Sequence, residues 1–150
     1  MMEQRIFANK LNIEVSQERI RQILLDGQQL EYWIPEISQV IPVKNHYQIR
    51  RSASAFNQYE ELEIIDSNNM IIYHSTHGQL EYRIVFTFLE NMGHSVLQQE
   101  LFLPTTAIIA LPFTLLQPIL KAAFSKNLAN LSAYAGEQEV NDAGSYSKFF

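Results

Sequence analysis

Residues 80–89 read LEYRIVFTFL and alternate between two faces of an extended chain. Leu80, Tyr82 and Phe86 fall on an apolar face, whereas Glu81 falls on the opposite one. This two-residue period is that of a strand with one buried side and one hydrated side. A sheet that contains such a strand needs another element to cover its apolar side.

Extended segments and short turns alternate along the middle of the chain. The predicted strands are Ser38–Val43, His46–Ala53, Phe56–Ile65, Met70–Thr76, Leu80–Leu89 and Ser95–Leu103. The turns at 44–45, 77–78 and 91–93 contain Asn or Gly, which accept the backbone geometry of tight hairpins. Residues 4–15 alternate as well, and they add a seventh strand to an antiparallel meander.

Two short helices are predicted between the first strand and the meander. Ser16 is a suitable N-cap for a helix that continues to Asp26. Gln28 to Trp33 form the second helix, and Pro35 closes it because the residue before a proline resists helical geometry.

Residues 113–135 have the spacing of a long amphipathic helix. Its apolar stripe consists of Leu116, Leu120, Phe124, Leu128, Leu131 and Ala135. Positions three and four apart share one side of a helix, so the stripe predicts a helix that covers the apolar side of the sheet. Pro118 does not suit a helix interior, and it predicts either a kink there or a helix that begins near Gln117.

The last residues of the chain are polar and show no period. We predict one domain at residues 1–135 and a flexible C-terminal tail at residues 136–150, which contains Gly136 and Gly144. The aromatic end of this tail is interpreted either as frayed or as a segment that docks on a groove of its own or a neighbouring chain.

The order of these elements resembles the helix-grip fold of the START, birch-pollen-allergen and polyketide-cyclase-like superfamily, also called SRPBCC. The resemblance covers residues 4–135, and it is supported locally by IEVS at 13–16 and LEYWIPEI at 30–37. It implies an α+β fold, in which a seven-stranded curved antiparallel sheet wraps around the long C-terminal helix and two short helices follow strand 1.

The same resemblance implies an apolar cavity between the sheet and the C-terminal helix. Proteins of this superfamily hold lipids, sterols, polyketides or other hydrophobic molecules there, and some of them catalyse cyclisation or dehydration. The superfamily has no catalytic motif shared by all its members, so no catalytic residue and no cofactor are assigned.

Composition excludes several other classes of function. The chain has 11 Lys and Arg against 16 Asp and Glu, and this net charge of −5 argues against a nucleic-acid partner. It contains no cysteine, which excludes thiolate chemistry and disulfides. No apolar segment reaches the roughly 20 residues of a membrane span, and no signal peptide is recognised, so a cytoplasmic location is expected.

A set of residues is predicted to line the ligand cavity on the apolar face of the sheet and on the helix. This set is Arg51, Gln58, Glu60, His74, Tyr82, Ile84, Phe86, Phe88, Gln99, Leu116, Leu120 and Phe124. Polar members of such a lining orient an amphipathic ligand. Strand phase decides each assignment, because a shift of one residue moves a side chain to the other face.

Glu60 and Arg51 are the most distinctive members of this set. A carboxylate in an apolar lining has a raised pKa and can act as a general acid, so Glu60 is a candidate acid–base group with Arg51 as its neutralising partner. The alternative interpretation places both side chains at the rim or on the outer face of the sheet. No metal site is predicted at His74 and His77, because residues three apart on a strand have their side chains on opposite faces of the sheet.

Three functions therefore remain open. The leading hypothesis is binding or carriage of a small hydrophobic ligand in an internal cavity. The second is a polyketide cyclase or dehydratase that uses Glu60, Arg51 or His74, and the third is a protein-interaction module. Neither the identity of the ligand nor the oligomeric state follows from the sequence.

Overall fold

Seven antiparallel strands form a single curved sheet in which neighbours along the meander pair with each other. The computed structural model describes residues 2–52, 55 and 57–147, with side chains described up to residue 137. The strands are β1 (Glu3–Ile13), β2 (Ile37–Val43), β3 (His46–Arg51), β4 (Tyr59–Ser67), β5 (Met70–Thr76), β6 (Tyr82–Asn91) and β7 (His94–Pro104). Their order across the sheet is β1-β7-β6-β5-β4-β3-β2, so β1 and β2 form its edges.

Helices connect β1 to β2 and follow β7. They are α1 (Gln17–Leu25), a 3-10 turn (Gly27–Gln29), α2 (Leu30–Trp33), α3 (Thr105–Ala110) and α4 (Phe113–Ser147). Ser16 caps α1 by accepting a hydrogen bond from the backbone N–H of Arg19. The predicted helix-grip fold, with its seven-stranded sheet, its short helices after strand 1 and its long C-terminal helix, is confirmed.

The C-terminal region differs from the prediction in two respects. The six-residue helix α3 was not predicted, because it is too short to show a helical period. The backbone of α4 also continues to Ser147, because each glycine costs only about 1 kcal/mol in a helix and neither Gly136 nor Gly144 ends it. Its start at Phe113 agrees with the predicted helix, and of the two alternatives for Pro118 the start near Gln117 is wrong, since Pro118 lies inside the helix.

The predicted boundary at residue 135 therefore falls inside a continuous helical backbone. The division into a domain at 1–135 and a flexible tail at 136–150 stays a prediction. Phe149 and Phe150, the aromatic end of that tail, lie outside the described residues.

The two halves of the described part of α4 are used differently. Leu128, Leu131 and Ala135 are fully buried against the sheet and α1, whereas Leu116, Leu120 and Phe124, which precede them on the same stripe, are only half-buried. The helix therefore grips the sheet mainly through its middle turns. Its first turns lie less tightly packed, which leaves space between helix and sheet.

Polar side chains of α4 join its first turns to the edge strand β1. Gln117 Nε2 donates to the backbone carbonyl of Ile6 over 2.5 Å, and Lys121 Nζ donates to that of Ala8 over 2.7 Å. These bonds occupy carbonyl groups that an edge strand otherwise exposes, and they hold the helix beside the sheet without filling the interior.

Candidate functional site

An apolar cavity of about 300 Å³ lies between the inner face of the sheet and residues 120–127 of α4. Its apolar walls include Trp33 of α2, Leu62, Tyr73, Ile84, Phe86 and Leu101 of the sheet, and Leu120, Ala123 and Phe124 of α4. Arg51, Asn57, Glu60 and Gln99 are polar members of the lining, and Glu36, Lys126 and Asn127 complete it on the side of α2 and α4. This mixture of many apolar and few polar groups is typical of ligand pockets.

Most of the residues predicted from the sequence lie on the wall of this cavity. They are Arg51, Glu60, Tyr82, Ile84, Phe86, Gln99, Leu120 and Phe124. The structure thus brings them around one space, and their role in ligand binding stays a prediction. Of the alternative placements, the outer face is wrong for both side chains, because Glu60 is completely buried and both line the cavity. The rim is wrong for Glu60, whereas Arg51 is the last residue of β3 and is 11% exposed.

His74 and Gln58 do not line the cavity as predicted. His74 lies on the outer face of β5, where its Nε2 is 3.1 Å from Glu81 Oε1. Its neighbours Tyr73 and Ser75 face inward, so the predicted phase was wrong by one residue. Gln58 is exposed and lies outside the sheet, because β4 begins only at the next residue, Tyr59.

Phe88 and Leu116 also lie away from the cavity. Phe88 lies on the predicted inner face of β6 but beyond the end of the cavity, in a surface groove beside Gln17 and Arg21 of α1. Leu116 is half-buried in the first turns of α4, before the helix reaches the cavity. A period identifies the correct face of an element, but it does not show where along that element a cavity begins and ends.

Glu60 is the centre of a buried hydrogen-bond cluster at one end of the cavity. Its Oε1 accepts from Arg51 Nη2 over 2.8 Å and from Tyr82 OH over 2.7 Å. Its Oε2 accepts from Asn57 Nδ2 and from Ser75 Oγ, each over 3.0 Å. Both oxygens of the carboxylate thus have two donors each, which makes complete burial of the charge possible.

Arg51 joins this cluster to the residues that follow α2. Besides its bond to Glu60, Nη2 donates to Tyr82 OH over 3.2 Å, and Nη1 forms an ion pair with Glu36. The side chain of Arg51 is 11% exposed, whereas that of Glu36 is 45% exposed. One guanidinium therefore has two carboxylate partners, one in the interior and one close to solvent.

Strand pairing explains why these side chains meet. Ile49 of β3 pairs with Glu60 of β4, and Ser75 of β5 pairs with Tyr82 of β6. The cluster therefore forms where the same ends of four neighbouring strands come together. Arg51 ends β3, and its backbone N–H donates to the carbonyl of Gln58, which closes the loop between the two strands.

Three members of the cluster were not predicted from the sequence. Ser75 follows Ile71 and Tyr73 at two-residue spacing, and this signal was sufficient to place it inside. Asn57 lies in the loop before β4, where no period applies, and it is held by two 2.8 Å hydrogen bonds with the backbone of Leu80. Glu36 lies just after α2, and only the tertiary fold brings it to Arg51.

The cluster fixes the protonation state of its members. Burial raises the pKa of Glu60, but the charge and hydrogen bonds of Arg51, with those of Asn57 and Tyr82, outweigh it, so the net pKa lies below its ordinary value. The predicted raised pKa of Glu60 is therefore wrong. Burial and the nearby Glu60 carboxylate raise the pKa of Tyr82, which stays a neutral phenol.

Gln99 provides a second polar point further along the sheet. Gln99 is 1% exposed, pairs with Phe86 across β6 and β7, and lines the cavity. Its Oε1 accepts from Asn9 Nδ2 over 3.1 Å. Its Nε2 has no hydrogen-bond acceptor among the described residues.

The histidines do not form a metal centre. His77 Nδ1 lies 2.8 Å from Glu61 Oε2, whereas His74 is paired with Glu81. Within the part of the chain that the structure describes, no group of three or more His, Cys, Asp or Glu side chains is placed to hold a metal ion.

Comparison with known proteins identifies the fold. No protein-family model and no curated protein sequence matches this chain. Solved structures do: a START superfamily protein from Mycobacterium smegmatis has a TM-score of 0.73 at 13% identity, with 90% of this chain and 99% of that one covered. This chain has the START-like helix-grip fold.

Two further structures with this START-like fold are similar to the chain. The di-domain ARO/CYC StfQ from the steffimycin biosynthetic pathway has a TM-score of 0.68 at 15% identity, covering 89% of this chain and 51% of StfQ, so this chain spans about half of that protein. A conserved protein from Geobacillus kaustophilus has a TM-score of 0.69 at 12% identity, with 87% and 94% covered. Among the described residues, no helix has the length and apolar character needed to span a membrane.

Proposed function

We propose that this protein binds or carries a small hydrophobic molecule in the cavity between the sheet and α4. The observation that supports this is the cavity itself, because aromatic and aliphatic side chains surround about 300 Å³ that the protein does not fill. Apolar surface buried by a ligand contributes roughly 25 cal/mol per Å². The volume is at the lower end of the range for ligand pockets, which favours a compact molecule.

The protonation of the polar cluster favours binding over acid–base catalysis. General acids and bases work best when their pKa is near the working pH. Glu60 has no proton to donate at neutral pH, and its lone pairs already accept from Arg51, Tyr82, Asn57 and Ser75. The cluster is therefore better suited to hold and orient a ligand than to transfer protons.

Dye binding tests the proposal directly. We expect N-phenyl-1-naphthylamine, a neutral dye that fluoresces in apolar surroundings, to bind the folded protein. Ala123→Trp should block uptake, because Ala123 lines the cavity. Ala122→Trp is the matched control, since Ala122 precedes Ala123 in α4 and is exposed outside that lining. Equal dye binding by both variants would contradict the proposal.

Thermal stability gives a second measurement. A ligand at 100 times its Kd adds about 2.7 kcal/mol to the free energy of unfolding when it binds only the folded state. We expect a panel of lipids and aromatic polyketides to contain molecules that displace the dye and raise Tm. Native mass spectrometry of protein purified from its source shows whether such a molecule is carried with it.

A polyketide cyclase or dehydratase is the second candidate. It is favoured by the meeting of Arg51, Glu60 and Tyr82 on the cavity wall, which is the arrangement that distinguishes an enzyme from an entirely apolar carrier. The test is conversion of a linear polyketone, followed by mass spectrometry and ultraviolet absorbance. Multiple turnovers that disappear in both Glu60→Gln and Tyr82→Phe would favour the enzyme, and dye displacement without conversion would favour the carrier.

Partners and location remain sequence-based parts of the proposal. The lack of a nucleic-acid partner is proposed from the composition, in which acidic residues outnumber basic ones, and a cytoplasmic location is proposed from the lack of cysteine, which fits a reducing compartment. The protein-interaction module is the weakest of the three hypotheses, because a filled interior is the feature that would favour it.

A further inference from the structure

We propose, on the basis of the proposed function, that the cavity selects ligands with a neutral oxygen acceptor, such as a ketone, over ligands with a carboxylate. Two observations lead to this inference: the charge balance around Arg51, and the kind of hydrogen-bonding group that the cavity wall offers. Both concern residues that line the same space.

Among the described lining residues, the buried end of the cavity offers no uncompensated positive charge to an anion. Arg51 is already paired with Glu60 and Glu36, and Lys126, the other basic lining residue, is exposed at the rim. A ligand carboxylate that reached Arg51 would lie beside both carboxylates and would also lose its own hydration. Both effects oppose the binding of an anion, and a neutral group is subject to neither.

The polar groups left over in the cavity are hydrogen-bond donors. Gln99 uses its oxygen for Asn9, which leaves the N–H groups of Nε2 without an acceptor among the described residues. Glu60 and Glu36 occupy only part of the five N–H groups that a guanidinium offers. A ligand oxygen that accepts from these N–H groups gains hydrogen bonds that a purely apolar ligand does not make, so such a ligand is favoured over an apolar one.

These donors lie at two separated places along the sheet. Arg51 contacts Tyr82, whereas Gln99 pairs with Phe86, which is four residues further along β6. At a rise of about 3.3 Å per residue, this is roughly 13 Å along the strand. A compact apolar ligand can therefore direct a carbonyl oxygen either toward the N–H groups of Arg51 or toward those of Gln99.

Three naphthalenes of nearly equal shape test the inference. Naphthalene has no acceptor, 2-acetonaphthone has a neutral carbonyl, and 2-naphthoate has a carboxylate of similar size. In competition with N-phenyl-1-naphthylamine at pH 7.5, we expect the ketone to bind at least about tenfold more tightly than the carboxylate, which corresponds to about 1.4 kcal/mol. The ketone should also bind more tightly than naphthalene itself.

Glu60→Gln makes the comparison specific to the cluster. This variant removes one of the two negative charges, so the ratio of naphthoate Kd to acetonaphthone Kd should fall. A ratio within one variant cancels any general change in its stability. Glu63→Gln is the control, because it removes an equal charge from an exposed side chain of β4 outside the lining, and it should leave the ratio unchanged. Lys126→Gln, at the exposed rim, reports whether naphthoate is held there instead.

Several results would overturn the inference. Naphthoate binding as tightly as the ketone in the wild type would do so, and a loss of naphthoate affinity in Lys126→Gln would show an anion held at the rim. If the dye binds but no naphthalene displaces it, the inference fails while the proposed function stands. If the dye itself does not bind, the proposed function fails first.

Discussion

Arg51 Nη2 and Glu60 Oε1 lie 2.8 Å apart in the interior, with side-chain exposures of 11% and 0%. An ion pair at this depth loses the hydration of both charges, so its members depend on each other. Glu60 depends on this ion pair more than Arg51 does, because Arg51 has a second carboxylate partner, Glu36, close to solvent. This asymmetry predicts different consequences for removal of the two side chains.

Arg51→Met should strongly destabilise the protein. It leaves the Glu60 carboxylate buried without a counter-charge, and such losses cost about 3–5 kcal/mol. Urea unfolding at pH 7 measures the effect. Glu60→Leu should cost less, since Arg51 keeps Glu36, and the double variant should be more stable than Arg51→Met alone. A double variant that equals the sum of the single ones would show that the two groups do not interact.

The sequence predicted the fold more completely than the site, and the cluster shows why. Alternation placed Glu60 and Tyr82 on the inner face, because each lies within a regular strand. The environment of Glu60 was mistaken, since an apolar neighbourhood was expected to raise its pKa and the donors Asn57 and Ser75 were not recognised. Tertiary contacts from a loop decide that environment, and no local period reports them.

Stability should fall in acid through Glu60. Its folded pKa lies below the ordinary value of 4.5, because Arg51, Asn57 and Tyr82 outweigh the opposite effect of burial. The unfolded chain therefore binds the proton more tightly than the folded one. The contribution of the Glu60 carboxylate to the free energy of unfolding is therefore complete at pH values above its pKa in the unfolded chain. It is lost as the pH falls through its lower pKa in the folded protein.

Urea unfolding from about pH 6 to about pH 3 measures this contribution. The wild type should lose more free energy of unfolding over this interval than Glu60→Gln, which has no carboxyl group to protonate at that position. Parallel curves for the two proteins would show that Glu60 does not carry the acid sensitivity.

Gly78→Ala should disturb the cluster from outside. A Cβ at this position would lie 2.7 Å from the Cγ of Asn57, which is closer than real contacts allow. Asn57 is held by Leu80 and Glu60 and cannot move freely, so overpacking should cost about 1–3 kcal/mol. Gly136→Ala in α4 is the control, since its nearest neighbour is Val15 at 3.9 Å. It should be neutral or stabilising by up to about 1 kcal/mol.

Nucleic acids should not bind at physiological salt. The chain carries a net charge of −5, and binding to phosphates needs clustered Lys and Arg. Fluorescence anisotropy with labelled duplex DNA and structured RNA measures this. Micromolar binding that weakens steeply as salt is raised would contradict the prediction.

Phe124→Ala and Leu128→Ala should separate the cavity from the core along one face of α4. Leu128 is 1% exposed and packs against the sheet, so its truncation should cost about 2–5 kcal/mol. Phe124 lies 5.4 Å from the ring of Phe7, centroid to centroid, but it is only half-buried and faces the cavity. Its truncation should therefore cost less, because the space that it leaves is continuous with an existing one.

The two variants should also differ in ligand binding. Phe124→Ala enlarges the cavity, so larger members of the ligand panel should gain affinity relative to smaller ones. Leu128→Ala lies outside the lining and should leave this order unchanged. Urea unfolding and dye competition measure both effects on the same samples. A cost below about 1 kcal/mol for Leu128→Ala would mean that α4 does not grip the sheet, since a fully buried leucine cannot be truncated so cheaply in a packed core.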